Sequence, residues 1–371
     1  MTELDAAPRS QIGLLARLHV DAWLAVLLLA VCSVGLFVIY SATGSDSGAV
    51  ISQVQRIGMG IVALLICAQA PPELYRNFAP YLYAAGLLLL LAVLVLGDHS
   101  KGAQRWLDLG VVRFQPSEIM KIAVPMMVAS YLHGSNIPPR LQTLAGAVVL
   151  VAVPTALVAV QPDLGTSLLV VAAGGFVLFF GGLSWRWIAS VVGLATAAAP
   201  IVWMNMREYQ QQRVLTFLDP SSDPLGAGYH ITQSKIAIGS GGIFGKGWLN
   251  GTQASLDFLP ESHTDFIFAV FAEEMGLLGV LALLTLYTLI VARGLVIALR
   301  GQDTFQRILA GGLSLTFFLY VFINIGMVMG LMPVVGVPLP LVSFGGTSMV
   351  SLMAGFGILM SIQTHRKLIS S

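Results

Sequence analysis

The chain has 371 residues, of which 56% are hydrophobic and only 10% are charged. Soluble domains carry roughly a quarter charged residues, so a surface with so few charges must face lipid over most of its area. The formal net charge of +1 excludes the basic footprint of a nucleic-acid-binding protein. The composition therefore predicts an integral membrane protein, with no nucleic acid among its partners.

About ten apolar runs follow one another along the chain, each close to the roughly 20 residues that a transmembrane helix needs. They cover residues 21–42, 54–71, 78–97, 117–133, 142–160, 164–182, 184–205, 265–292, 306–330 and 340–362. The first run is long enough to span a bilayer, so we expect it to stay as a helix rather than to be removed as a signal peptide. The expected fold is a single integral membrane domain over residues 1–371, an all-α polytopic bundle of about ten transmembrane helices.

Lysine and arginine favour the cytoplasmic side of a membrane, and the chain has 19 of them. With the N terminus inside, ten lie in inner segments and nine in outer ones. Eight of those nine fall in two polar segments, 98–121 and 206–264, and elsewhere the ratio is ten to one. We therefore expect cytoplasmic tails at 1–20 and 363–371, and extracytoplasmic loops at 98–116 and, before the eighth helix, 206–264.

Polar residues are concentrated in these two loops. A channel or a simple transporter keeps its working polar groups near the bilayer midplane, whereas loops on a rigid scaffold often carry binding and catalytic residues. The distribution predicts a working surface at the outer boundary between membrane and water.

The first polar segment carries Arg105, Trp106, Glu118 and Lys121. Glu118 and Lys121 are three residues apart at the predicted start of a helix, so they share one face. One interpretation is a solvated salt bridge at the helix mouth, with Trp106 as an interfacial anchor. The other is a cationic, aromatic-edged groove for an anionic lipid headgroup. The local pattern alone favours the salt bridge.

Asp163 stands at the mouth of the sixth apolar run, after Gln161 and Pro162. A carboxylate at this place can cap the helix, and the local sequence favours that role. Asp163 can also line an outer cavity, which keeps it a candidate site residue.

The loop 206–264 carries the basic residues Arg213, Lys235 and Lys246, and a glycine-rich run at 239–242. Backbone N–H groups of such a run can approach a phosphate closely. The run lacks the Gly-Lys-Ser/Thr ending of a P-loop, so no nucleotide site is expected.

Asp265 is the last polar residue before the eighth apolar run, and His263 lies two residues earlier. Asp265 can be an N-cap, or a partly desolvated carboxylate with a raised pKa that is poised as a base. On a regular helix His263 would not share its face. Glu273 and Glu274 follow inside the run, where carboxylates are expensive and are functional candidates by default.

The stretch 324–348 contains three prolines and clustered glycines at membrane depth. Such backbone is tolerated only where it is buried in protein or lines a cavity. The stretch therefore predicts a re-entrant or broken segment and indicates little about the chemistry.

These motifs resemble those of the SEDS family (shape, elongation, division and sporulation). The stretch 324–348 closely resembles the family signature. Further blocks are similar to family blocks and occur in the family's order, within about Asp21 to Lys367: 101–121, 161–167, 229–247 and 260–268. The sequences at 251–253 and 258–265 are similar to the branch that serves rod elongation.

The resemblance implies a peptidoglycan glycosyltransferase of the bacterial cytoplasmic (inner) membrane. Its substrate would be lipid II, a disaccharide-pentapeptide on undecaprenyl pyrophosphate. Its partners would be a class B penicillin-binding protein, which cross-links the strands, and other membrane proteins of the rod complex. The resemblance also implies that Asp265 is the essential catalytic residue and that Trp106, Glu118 and Lys121 are functionally important.

Glycan transfer needs a nucleophilic acceptor hydroxyl and a stabilised pyrophosphate leaving group. The donor α-linkage becomes a β-linkage, so one in-line displacement with one general base suffices, unlike the paired carboxylates of glycosidases. On this hypothesis Asp265 is the base for the GlcNAc 4-hydroxyl, and Asp163 and His263 are further substrate-site candidates. The candidates to hold the pyrophosphates are Arg105, Lys121, Arg213, Lys235 and Lys246.

The sequence shows no defined metal site, and Cys32 and Cys67 both lie in apolar runs, as core residues do. A divalent cation, Mg or Mn, could still serve the pyrophosphate clamp. Two alternatives stay open: a lipid II flippase, with Glu273 or Glu274 marking a path through the midplane, and a non-catalytic scaffold for the penicillin-binding protein. The concentration of charge at one face favours the enzyme.

Overall fold

The computed structural model describes residues 17–100, 103–108, 113–206, 208–223, 226–256, 258–259 and 262–366. Most of the tail 1–20, the end of the tail 363–371, and Lys101 lie outside the described residues. The elements in chain order are α1 Ala22–Ala42, α2 Ser47–Gln69, α3 Pro72–Leu96, β1 Asp98–Ser100, β2 Ala103–Asp108, β3 Arg113–Phe114, α4 Pro116–Leu132, α5 Leu141–Val160, α6 Leu164–Phe180, α7 Trp185–Asn205, α8 Glu208–Leu218, α9 Ala227–Ser240, α10 Thr252–Ser255, α11 Ile267–Leu299, α12 Thr304–Val328 and α13 Thr347–Thr364.

Each predicted apolar run corresponds to one long helix of the described chain. Seven of these helices are long and apolar enough to cross a membrane, namely α1, α2, α3, α5, α11, α12 and α13. The others are α7 and the two 17-residue helices α4 and α6. The prediction of a polytopic, all-helical membrane protein is confirmed.

Helix boundaries differ from the predicted runs where local chemistry sets them. The second helix begins seven residues early because Asp46 caps it and accepts from the N–H of Gly48 at 2.8 Å. The last helix begins at Thr347 rather than at residue 340, because Leu341 has a positive φ of 64°, which a right-handed helix does not accept, and Gly345 and Gly346 precede the helix.

The two polar segments differ from the simple loops that the sequence predicts, because both contain secondary structure. Segment 98–116 contains a small antiparallel sheet in the order β1-β2-β3, in which Asp98 pairs with Trp106 and Leu107 with Phe114. Segment 206–264 contains α8, α9 and α10. These elements are short and polar, so their sequences carry no long hydrophobic period that would reveal them.

The glycine-rich stretch after α9 packs onto a break in α11. Gly276 leaves helical geometry, with φ 64° and ψ −166°. The N–H of Leu277 donates to the carbonyl of Gly242 at 2.9 Å, and the N–H of Lys246 donates to that of Glu273 at 3.0 Å. A Cβ on Gly245 would lie 2.0 Å from the carbonyl oxygen of Glu274. Gly245 therefore permits a close backbone contact at the break.

The bundle has two distinct ends. One, the loop end, holds the sheet, α8–α10 and the irregular segment 329–346. The other, the termini end, holds both ends of the described chain, because the rings of His19 and His365 stack with their centroids 3.9 Å apart. Residues near the start of α11 therefore lie at the end opposite to the termini.

Candidate functional site

Asp265 lies at the loop end, where the chain enters α11. It is half-buried, and the N-cap of α11 is the next residue, Phe266, so the N-cap interpretation of Asp265 is wrong. The Asn324 amide donates to the carbonyl of Asp265 at 2.8 Å and to that of Val337 at 2.7 Å. The carboxylate lies beside Gly336, where a Cβ would be 3.4 Å from Oδ2. The backbone of Asp265 is thus fixed against segment 329–346.

Two further hydrogen bonds fasten the residues just before Asp265 to the same segment. The Ser343 hydroxyl donates to the carbonyl of Thr264 at 2.6 Å, and the N–H of Phe344 donates to that of His263 at 2.9 Å. The His263 ring meets the Phe344 ring edge to face, with centroids 5.8 Å apart. The irregular segment is therefore a rigid support for the predicted catalytic loop.

Glu118 and Lys121 form the ion pair that their spacing predicts, with 2.6 Å between Nζ and Oε1. Both residues are buried, so the expected solvated salt bridge is wrong in that respect. Ser351 donates to the second carboxylate oxygen at 2.6 Å, and Nζ lies 4.9 Å from the centroid of the Tyr320 ring. A buried pair of this kind persists only when such additional partners satisfy it.

Asp163 caps α6, as its local sequence favours. It accepts from the N–H of Thr166 at 3.2 Å and from the hydroxyl of the same residue at 2.9 Å. Arg105 on β2 approaches its carboxylate at 3.7 Å, and the Gln115 amide donates to it at 3.0 Å. The cap and the candidate cation Arg105 thus form one cluster at the loop end.

Lys246 is paired with a buried carboxylate. Its ammonium lies 2.6 Å from Glu273, which also accepts from the N–H of Thr252 at 2.9 Å. Glu274 accepts from the Ser41 hydroxyl and from the N–H of Leu249. Loop groups therefore surround both carboxylates at the α11 break, about 12 Å along the helix from Asp265.

The remaining predicted residues also lie at the loop end. Lys235 on α9 is exposed, and a Cβ on Gly330 would come within 2.7 Å of its Nζ. Arg213 on α8 and Trp106 on β2 are half-buried. Among the predicted pyrophosphate ligands, Arg105, Lys121 and Lys246 each lie within ion-pair distance of a carboxylate.

A cavity of about 950 Å³ opens between α2, α3, α4 and α13. Its charged lining residues, Arg56 and Glu118, lie towards the loop end, and Cys67 lies about 17 Å further along α2. This length is more than half of the roughly 30 Å hydrocarbon core of a bilayer. The body of the cavity is apolar and is lined by Met59, Phe78, Leu82, Ile119, Ile122 and Ile358.

Arg56 is the residue of this cavity that the sequence reasoning did not single out. It lies about 14 Å inside α2, and its guanidinium carbon stands 3.7 Å from the centroid of the Phe344 ring. The available signal was a single charge inside an apolar run, which is a functional candidate by default. Arg56 is the ninth basic residue of the outer set, the one outside the two polar segments, and its position there was used only to predict orientation.

The fold and the cavity define a multi-pass helical membrane protein with a groove suited to a long amphiphile. The chain belongs to the FtsW/RodA/SpoVE family of cell cycle proteins. The model of this family matches residues 15–368. The family resemblance of the motifs is therefore confirmed.

Curated relatives match almost the whole chain. It is 59% identical over 355 residues to the peptidoglycan glycosyltransferase MrdB of Escherichia coli K12, covering 95% of this chain and 96% of that protein. It is 31% identical to the peptidoglycan glycosyltransferase RodA of Treponema pallidum, covering 93% and 98%.

Solved structures share the fold. One is a chain of a peptidoglycan synthase complex that coordinates polymerization and crosslinking, with a TM-score of 0.82 and 33% identity over 94% of this chain and 99% of that chain. Another is the rod shape determining protein RodA of Thermus thermophilus, with a TM-score of 0.71 and 31% identity over 94% and 98%.

Proposed function

We propose that this chain is a peptidoglycan glycosyltransferase that polymerises lipid II into glycan strands during cell elongation. Relatives with that enzyme name match more than nine tenths of the chain. The structural observation that carries the proposal is the cavity, which is apolar along its body and charged only towards the loop end, where Asp265 lies. A water-soluble substrate has no long apolar part to fill such a groove, whereas a lipid-linked sugar has an apolar chain for the body and a charged group for the end.

The three parts of lipid II, its polyprenyl chain, diphosphate and sugars, fit successive parts of the cavity from its apolar body to the loop end. The polyprenyl chain lies along the apolar body, where burying each CH₂ group contributes about 0.8 kcal/mol. The diphosphate then lies at the charged end, near Arg56 and Glu118. The sugars emerge at the loop end towards the residues that precede α11.

In the proposed mechanism, Asp265 is the general base. It takes the proton from the acceptor GlcNAc 4-hydroxyl while that oxygen attacks the anomeric carbon of the donor MurNAc. The bond from this carbon to the diphosphate breaks, the undecaprenyl diphosphate leaves with the electron pair, and the new linkage is β. The hydrogen bond from Asn324 to the carbonyl of Asp265 preorganises the base for this step.

The negative charge of the substrate diphosphates must be balanced by cations. The structure distinguishes among the five basic residues that the sequence predicts for this role. Arg105, Lys121 and Lys246 are paired with carboxylates, whereas Lys235 is exposed and is therefore the better placed of the basic candidates to meet a phosphate. Arg213 is half-buried and stays a candidate. No group of three or more His, Cys, Asp or Glu within the described ranges could hold a metal ion. A divalent Mg or Mn ion would therefore share its ligands with the substrate's phosphates, as Mg commonly does.

The proposed setting is the bacterial inner membrane, with both termini in the cytoplasm and the loop end at the periplasmic face. The ten-to-one bias of basic residues outside the two polar segments supports this orientation. The proposed partners are a class B penicillin-binding protein and other rod-complex proteins. A synthase complex among the structural relatives supports the first of them.

The direct test is polymerisation of lipid II by the purified chain with Asp265→Asn or Asp265→Ala. We expect the rate to fall by roughly 10²- to 10⁴-fold, the usual contribution of a general base, while lipid II still binds. Asp219→Asn is the matched control, because Asp219 is exposed at the same end and caps only a short 3₁₀ turn. Wild-type rates from Asp265→Ala would contradict the proposal.

The same assay separates the two alternatives. A flippase would move lipid II between leaflets without joining sugars, yet the carboxylates that would mark its path, Glu273 and Glu274, are held by loop groups. A scaffold would make no glycan strands from lipid II, alone or with a partner that only cross-links them. Strands made from lipid II supplied to one leaflet support the enzyme.

A further inference from the structure

We infer that Arg56 is the anchor for the diphosphate of the polyprenyl-linked substrate, an inference that rests on the proposed function. Arg56 lies two residues after the start of the apolar run 54–71, at the charged end of the cavity. Ionisable groups in an apolar membrane segment are expensive and persist where they have a partner or a task. A guanidinium binds phosphate oxygens through two parallel hydrogen bonds, which an ammonium cannot imitate.

The charges around the cavity leave Arg56 available for an anion. Glu118 is the other charged lining residue, and its two oxygens are taken by Lys121 and Ser351. Within the described part of the chain, Arg56 forms no salt bridge with a carboxylate. With Glu118 neutralised by Lys121, the net charge at this end of the cavity is the charge of Arg56.

The Phe344 ring holds the guanidinium in place. The distance of 3.7 Å from the guanidinium carbon to the ring centroid is that of a cation–π contact. Such stacking on one face leaves the edge N–H donors of the planar group able to reach a ligand. Gly346, which precedes the first residue of α13, lies on the same side, where a Cβ would be 3.8 Å from Nε.

The same ring connects this anion site to the predicted base. The Phe344 N–H donates to the carbonyl of His263 at 2.9 Å, two residues before Asp265. The diphosphate anchor and the base are therefore fixed to one rigid segment. An enzyme that must hold a leaving group and a base in a defined relation gains from such a connection.

Binding measurements on the purified full-length chain test the inference. The probes are labelled polyprenyl diphosphate and the uncharged polyprenol of the same length. We expect Arg56→Gln to weaken diphosphate binding roughly ten- to a hundredfold, the loss expected for charge-assisted hydrogen bonds, with polyprenol binding unchanged. The diphosphate affinity of Arg56→Lys should lie between those of the wild type and of Arg56→Gln. Arg186→Gln, at an exposed position in the first turn of α7, is the matched control and should bind both probes normally.

Several outcomes would overturn the inference. Arg56→Gln could bind the diphosphate probe normally, or lose both probes equally. Inorganic pyrophosphate could compete as well as the polyprenyl diphosphate, which would make the ligand free pyrophosphate. Should Arg56→Gln not fold, Phe344→Leu keeps the charge and removes its support, and unchanged diphosphate affinity in that variant would also overturn it.

The binding and polymerisation experiments can contradict the proposed function and the role of Arg56 independently of each other. A wild-type chain that binds the diphosphate probe but makes no strands from lipid II would contradict the enzyme and leave the anchor intact. A wild-type chain that makes strands, with an Arg56→Gln variant that binds and polymerises normally, would contradict only the anchor.

Discussion

Glu118 and Lys121 form a buried ion pair that depends on groups far away in sequence. Their own contact is local, with 2.6 Å between the charged atoms. Ser351, which is 233 residues away from Glu118, supplies the remaining hydrogen bond, and the Tyr320 ring covers the ammonium. Removing one member of such a pair leaves an unpaired buried charge, which is much worse than removing both.

We therefore expect Lys121→Met alone to destabilise the protein by about 3–5 kcal/mol. The double variant Glu118→Gln with Lys121→Met should recover most of that loss, because no buried charge is left. Thermal unfolding of the purified variants in detergent measures both effects. Lys235→Met removes an exposed lysine and should leave the midpoint nearly unchanged. A double variant as unstable as the single one would contradict the expectation.

At the residue scale, the sequence predicts contacts that lie within one helix turn and misses those that cross the bundle. The pairing of Glu118 with Lys121 and the cap at Asp163 follow from local spacing. The approach of Arg105 to Asp163 and the stacking of Arg56 on Phe344 join distant parts of the chain. No periodicity encodes such contacts, so the binding role inferred for Arg56 required the fold.

At the element scale, α11 is two helical pieces joined at Gly276. The first piece begins two residues after Asp265 and ends at the break, where segment 241–253 is hydrogen-bonded to it. The ion pair between Lys246 and Glu273 fastens that segment. The break therefore sets the direction in which the first piece, and the residues before it, enter the membrane.

We expect Gly276→Ala to destabilise the protein and to slow polymerisation. The residue has φ 64°, which costs an L-residue about 1–2 kcal/mol. Its Cβ would also lie 2.3 Å from the backbone nitrogen of Gly245, which has no flexible side chain to yield. Thermal unfolding and the lipid II assay measure the two effects.

Gly175→Ala is the control for this substitution. Gly175 lies inside α6 with nothing within 4 Å of an added Cβ, and alanine favours a helix interior by about 1 kcal/mol over glycine. We expect equal or higher stability there. An equal loss from both variants would show that the break in α11 has no special role.

The long helices could be predicted because each needs a continuous apolar run to cross the bilayer. The strands β1–β3 and helices α8–α10 could not, since contacts with the bundle rather than a hydrophobic period decide their structure. The start of α13 shows both effects, because Pro338 and Pro340 predicted a broken segment while the apolar run suggested a helix from residue 340. The broken segment is observed, with a positive φ at Leu341, and the helix begins only at Thr347.

At the scale of the whole molecule, the two ends of the bundle are built differently. The loop end carries the candidate site, whereas at the termini end contacts between distant helices join the first and last parts of the described chain. Arg293 on α11 forms an ion pair with Asp21, the N-cap of α1. His19 stacks on His365, which follows α13, so the first and last helices are tied together.

The contact between His19 and His365 makes the packing of the termini end sensitive to pH. Burial, and next the charge of His365, lower the pKa of His19 from its ordinary value of 6.5. The unfolded chain then binds the proton more readily than the folded one, so stability is full above the ordinary pKa and falls as the pH drops below it.

We therefore expect the thermal midpoint to fall between about pH 7 and about pH 5, the range in which histidine titrates. His19→Gln keeps a polar group for Thr364 and removes the titration, so its midpoint should fall less over the same range. Unfolding curves of both proteins at several pH values in that range provide the measurement. Parallel pH dependence in the two proteins would show that the loss comes from other groups, and that the packing of the termini end does not respond to protons.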